Sequence, residues 1–108
     1  MVALNPRLQR RELSALITMK VAGDVNQFRR WIENEDQLRE IADRAKAAGA
    51  IHHRFGIGDG FVLVVDEWDS AEHFHQFIAG IQDVFAEAGA QAAPEVTITE
   101  AVSTADEF

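Results

Sequence analysis

Asp24, Phe28, Trp31 and Ile32 recur 46 positions later as Ser70, Phe74, Phe77 and Ile78. In each half, a residue able to cap a helix precedes aromatics and an isoleucine spaced along one helical stripe. Internal similarity at a fixed offset marks a duplicated supersecondary unit, and the flanking segments give that unit the order strand, helix, strand. The chain is therefore expected to read βαββαβ.

The segments between the repeated stripes carry the strand signals. From Ser14 to Val21, Ala15, Ile17, Met19 and Val21 alternate with Leu16, Thr18 and Lys20, as in a strand with one apolar face. Asp24 then caps a helix whose stripe runs through Val25, Phe28, Ile32, Leu38, Ile41, Ala42 and Ala45, with a break or kink at the polar stretch Glu33 to Gln37. Gly49 closes it and a second strand follows from Ala50 to Ile57. The Gly-rich stretch Gly56 to Gly60 predicts a hairpin into a third strand from Phe61. A turn centred on Gly58 and Asp59 places Phe55 opposite Val62, His53 opposite Val64 and Ile51 opposite Asp66. Asp69 and Glu72 resemble a capping box for a helix bearing Phe74, Phe77, Ile78, Ile81 and Phe85 that fades before Gly89. Ala90 to Pro94 reads as a linker and Glu95 to Val102 as the last strand.

The continuous apolar run Phe61 to Val65 is what a strand covered on both faces looks like. Two helices cover one face of a four-stranded sheet, so a second copy of the chain is the simplest cover for the other. At 108 residues and 47% hydrophobic content, one small domain is expected over residues 14–102, with an N-terminal arm (1–13) and a short acidic tail (103–108). Eighteen acidic against ten basic residues give a net charge of -8, which argues against nucleic acid as a partner. Arg7, Arg10 and Arg11 cluster in the arm as a solvated end. With no cysteine, the sequence offers neither disulfides nor thiol chemistry. No signal peptide or spanning segment is evident, so a cytoplasmic protein without a membrane partner is expected.

The βαββαβ order, the segment Val64-Val65-Asp66-Glu67-Trp68-Asp69-Ser70-Ala71-Glu72 leading into Phe74 and Phe77, and the doubly apolar third strand together resemble the dimeric α/β barrel superfamily. The nearest branch is the antibiotic biosynthesis monooxygenase-like proteins. The resemblance covers Ser14 to Val102 and implies a ferredoxin-like α+β protomer with a four-stranded antiparallel sheet that packs on a partner's sheet to close a barrel. The superfamily includes cofactor-free quinone-forming monooxygenases, haem-degrading enzymes and small-lactone isomerases, so the fold leaves the activity open. The haem-degrading pattern needs an Asn on the first strand, a Trp ending the third and a His in the second helix. Trp68 matches, whereas Ile17 or Thr18 stands at the Asn position and Phe77 or Ile78 at the His position. That mismatch argues against haem, and no cofactor is expected.

Three groups of side chains are candidates for chemistry. His53, Asp66 and Trp68 are placed on the helix-facing side of the sheet with Ile51, Phe55, Val62 and Val64. There a buried imidazole beside a carboxylate is a candidate base, or else a structural pair. Phe55, Val64, Trp68 and Phe74 are the expected ligand-binding positions, with His53, Asp66 and His73 as catalytic candidates, while Phe28, Phe77 and Phe85 are assigned to the core. On the opposite face, His52, Arg54, Glu67, Lys20, Thr18, Thr97 and Thr99 are expected to pair across a homodimer. The histidines His52, His53, His73 and His75 are spaced so that neither neighbouring pair chelates, and no metal is expected. The resulting expectation is a homodimer that binds a small apolar or aromatic molecule and works as a cofactor-independent monooxygenase. The alternative is a non-catalytic structural or ligand-binding module.

Overall fold

The computed structural model describes residues 14–108, so the expected arm lies outside the described residues. The elements are β1 (Ala15–Ala22), α1 (Val25–Glu33), α2 (Glu35–Ala48), β2 (Ala50–Ile57), β3 (Phe61–Trp68), α3 (Ala71–Ala79), α4 (Gln82–Ala88) and β4 (Glu95–Glu100). The four strands form one antiparallel sheet in the order β2-β3-β1-β4. Strict alternation on β1 buries Ala15, Ile17, Met19 and Val21 and exposes the residues between them. Their cross-strand partners Trp68, Asp66, Val64 and Val62 are buried on the same face. Phe28, Phe74, Ile81 and Ala88 close the core from the helix side.

The repeat predicts both helix starts. Asp24 caps α1, its Oδ1 accepting from the N–H groups of Asn26 and Gln27 at 3.0 and 3.1 Å. Ser70 caps α3, its Oγ accepting from the N–H of His73 at 3.1 Å. The expected capping box at Asp69 is one residue early: Asp69 turns its carboxylate to the His73 ring instead. The polar stretch at Glu33 to Gln37 is a true break. Asn34 ends α1 by donating its N–H to Trp31 O and starts α2 by accepting from Gln37 N–H at 3.2 Å. The second long helix also divides, at Gly80 and Ile81, where the N–H groups bond back to Phe77 and Ile78 carbonyls in tighter turns. An unbroken apolar stripe hid that break.

The β2–β3 hairpin is present, but its register differs from the expectation by two residues. His53 lies opposite Asp66, Phe55 opposite Val64 and Ile57 opposite Val62. Asp59 and Gly60 make the turn, Gly60 taking φ +79° and Gly58 N–H donating to Phe61 O at 2.9 Å. A two-residue shift leaves every side chain on its face, so His53 and Asp66 stay on the helix side and become direct neighbours. Ile51 falls at a bulge between Ala50 and His52 and has no partner opposite Asp66. The last strand ends at Glu100, two residues short of Val102, although Ala101 N–H still reaches Ser14 O at 3.0 Å.

Within this chain β3 is fully covered on one face only: Val62 and Val64 are buried, whereas Val65 is exposed beside exposed Leu16 on the far side of the sheet. No helix among the described residues is long and apolar enough to cross a membrane.

Gly49 joins the two halves. It ends α2 at φ +127°, its carbonyl accepts from Asp69 N–H at 2.9 Å, and a Cβ there would collide with the Asp69 carboxylate. Gly49→Ala is expected to destabilise the protein by about 2 kcal/mol or more, from the disfavoured φ and the collision together. Urea unfolding measures this, and adding Asp69→Ala should recover only the steric part.

Candidate functional site

Between the sheet and the helix layer lies an open apolar cavity of about 580 Å³. Its existence follows from how little of α2 reaches the sheet. The helices of the second half seat Phe74, Ile81 and Ala88 in the core. In the first half α2 has no buried residue, and its stripe of Leu38, Ile41, Ala42 and Ala45 is too small to fill the space down to β2. That stripe lines the cavity, as do Trp31, Phe77 and Phe85.

On the sheet wall, β2 and β3 bring His53, Asp66 and Trp68 into one hydrogen-bonded chain. His53 Nδ1 lies 2.7 Å from Asp66 Oδ1, and Trp68 Nε1–H donates to Asp66 Oδ2 at 3.1 Å. Asp66 is 8% exposed and Trp68 1%, so the carboxylate is held inside the apolar wall by two N–H donors. A carboxylate only accepts, which assigns the proton to Nδ1 and leaves Nε2 as the imidazole's free lone pair. The expected buried imidazole is instead partly open, with 43% of the His53 side chain exposed at the cavity's edge. Phe55 fixes the ring from the side, edge to face at a centroid distance of 4.4 Å. The arrangement is an imidazole open to solvent and to the cavity's edge, oriented by a carboxylate that is nearly fully buried.

The structure brings His53, Asp66, Phe55, Val64 and Trp68 to this wall and leaves two other candidates apart. Phe74 is 1% exposed and packs edge-on against Trp68 at 5.7 Å, in the core behind the cavity rather than on its surface. His73 stands on the first turn of α3, its Nδ1 2.8 Å from Asp69 Oδ1, and is not among the cavity-lining residues. Phe28 lies in the core as assigned, with Phe77 and Phe85 packed against it, and all three also border the cavity. The available sequence signal was the run of alanines on α2, whose small volume leaves a gap beneath it. Among the described residues no group of three or more His, Asp or Glu could hold a metal ion. On the far face, Glu67 accepts from Ser14 Oγ at 2.9 Å and Lys20 Nζ lies over the Phe61 ring at 4.6 Å.

The two ends of the His53–Asp66–Trp68 chain differ in what they hold. Asp66→Ala strands the buried Trp68 N–H, an expected loss of about 1–3 kcal/mol, whereas His53→Ala leaves Asp66 bonded to Trp68 and should cost less than about 1 kcal/mol. Denaturant melts of the two variants check this ordering.

No protein-family model and no curated protein matches the chain. Solved structures do. A conserved protein from Methanosarcina mazei Go1 aligns with a TM-score of 0.63 at 12% identity, over 86% of this chain and 97% of that one. A monooxygenase from the gene ActVA-Orf6 of Streptomyces coelicolor, in complex with nanaomycin D, gives 0.60 at 12% identity over 93% and 96%. A dimeric ferredoxin-like protein from an uncultured marine organism gives 0.54 at 15% identity over 92% and 95%. Identities this low speak for the path of the backbone and not for its chemistry. The chain therefore has the ferredoxin-like α+β fold shared by the dimeric ferredoxin-like protein and the ActVA-Orf6 monooxygenase.

Proposed function

We propose that this chain is a homodimeric α/β barrel protein, its barrel domain spanning residues 14–102, that binds a small, largely apolar aromatic molecule and oxidises it with dioxygen without a cofactor. The observation that carries the reading is the His53–Asp66–Trp68 chain on the wall of an otherwise apolar cavity. His53 Nε2 removes the proton of a ring hydroxyl, giving an electron-rich phenolate that dioxygen oxidises directly. One oxygen atom enters the ring as a second carbonyl and the other leaves as water, which carries the hydroxyl and ring hydrogens. Asp66 holds the imidazolium that forms, and the apolar walls keep bulk water from quenching the phenolate. The ActVA-Orf6 monooxygenase, bound to nanaomycin D, supports this class of ligand for the shared fold.

Homodimer formation is supported by the uncovered apolar positions Leu16 and Val65 on the far face of the sheet and by the dimeric ferredoxin-like protein of the same fold. Val65→Glu places a charge on that face, and native mass spectrometry should then find the monomer mass where the unaltered chain gives the dimer.

One observation favours a second reading. The His53–Asp66–Trp68 chain also ties the edge strand β2 to β3, a structural task that a non-catalytic ligand-binding module would equally need. Anthrone separates the two, since its enol form is a phenol and its oxidation consumes one dioxygen to give anthraquinone and water. The oxidase reading expects turnover above the spontaneous rate, reduced about 100-fold or more in a folded His53→Ala variant. Binding of anthrone with no oxygen uptake above background would establish the module instead.

A further inference from the structure

The chain has two tryptophans, and their indole N–H groups are treated differently. Trp68 Nε1–H donates to Asp66, whereas Trp31 Nε1 is buried with no hydrogen-bond partner among the described residues. A buried donor left unpaired is costly, and its retention calls for a reason. Packing does not supply one. The internal repeat provides the control, because the counterpart of Trp31 46 positions on is Phe77. Both rings pack against the core cluster and both border the cavity, so a phenyl ring meets in the second half the packing demand that an indole meets in the first. What Trp31 adds is a hydrogen-bond donor on a ring that lines the same cavity as the His53–Asp66 pair.

We infer that Trp31 is a ligand-orienting residue whose indole N–H donates to a neutral oxygen acceptor, such as a ring carbonyl, on the molecule that fills the cavity. This rests on the reading of the cavity as a ligand site. The N–H is shielded in the free chain although the ring is only partly buried, so its donation includes a turn of the indole about its side-chain torsions that brings the N–H to the ligand. The ligand class is thereby narrowed to an aromatic molecule with a hydroxyl toward His53 and an acceptor oxygen toward Trp31. A donor in one wall and a base in the other also fix which end enters first, which an apolar cavity alone does not do.

The test uses 9-fluorenone and fluorene, which share a tricyclic skeleton and differ by one carbonyl. The unaltered chain should bind fluorenone about fivefold or more tightly than fluorene, and Trp31→Phe should reduce that preference to within about twofold while leaving Tm unchanged or raised. Nitrogen-15 spectra give a second readout, since the assigned indole N–H resonance of Trp31 should move downfield with fluorenone and stay in place with fluorene. That readout stands even if the variant fails to fold. A carbonyl preference that survives Trp31→Phe, or an indole resonance that fluorenone leaves unmoved, overturns the donor role. Equal binding of both compounds by the unaltered chain overturns it too, with the cavity reading intact. Binding of neither overturns the cavity as a site for such ligands, and the role of Trp31 with it.

Discussion

The pairing of β1 with β3 is the constraint on which the rest of the molecule depends. These are the two central strands, and their alternating residues Ile17, Met19, Val21, Val62, Val64 and Trp68 present one continuous apolar face to the helices. A slip of one residue in either strand would turn that face outward, so burial fixes the register strongly here. Asp66 sits within this face opposite Ile17, where the donors of Trp68 and His53 offset the cost of burying its charge. The site is thus built into the most strongly specified part of the sheet. Its carboxylate is placed by core packing, and only its imidazole, on edge strand β2, is left accessible.

The duplicated unit supplies two helical covers for this face, but the two have diverged in volume. In the second half Phe74 and Ala88 are buried in the core. In the first half the alanine-rich stripe of α2 stops short, and the shortfall is the cavity. The cavity is bordered from both halves, by Trp31 and the α2 stripe on one side and by Phe77, Ile81, Phe85 and Ala88 on the other. The same divergence separates Trp31 from Phe77 at equivalent positions.

How much of this was legible in the sequence follows from the physics of each feature. The fold was legible because a 46-residue repeat of caps and stripes constrains element order however the details fall. The hairpin register was misplaced by two, since several of the five residues Gly56 to Gly60 can make a turn and alternation does not distinguish shifts of two. The same degeneracy kept His53 and Asp66 on the correct face. Which aromatics border the cavity was not legible. Phe74, Phe77 and Phe85 obey the same helical period, and a void is set by the summed volume of residues far apart in sequence, to which periodicity is blind. The half-exposure of His53 was hidden for a related reason: only the sheet order shows β2 to be an edge strand.

A helix that stands over a cavity raises the question of what keeps it folded. Fourteen residues are marginal for a helix without tertiary burial, and α2 is only half-buried along its apolar stripe, with Ala45 and Ala48 against the core. Its ends add to the stability that this partial packing supplies. Asn34 caps the first turn, Glu35 and Asp36 complement the dipole there, Lys46 complements it in the last turn, and Gly49 closes the helix while bonding to Asp69. On the proposed reading a bound aromatic molecule would fill the gap and complete the burial of Leu38, Ile41, Ala42 and Ala45, which the chain itself leaves half-exposed. Ligand binding and the stability of α2 are then thermodynamically linked, because a ligand that favours the folded helix stabilises it by mass action. On that reading the open cavity and the heavily capped helix are one feature, with local interactions maintaining the wall beside the space that a ligand would fill.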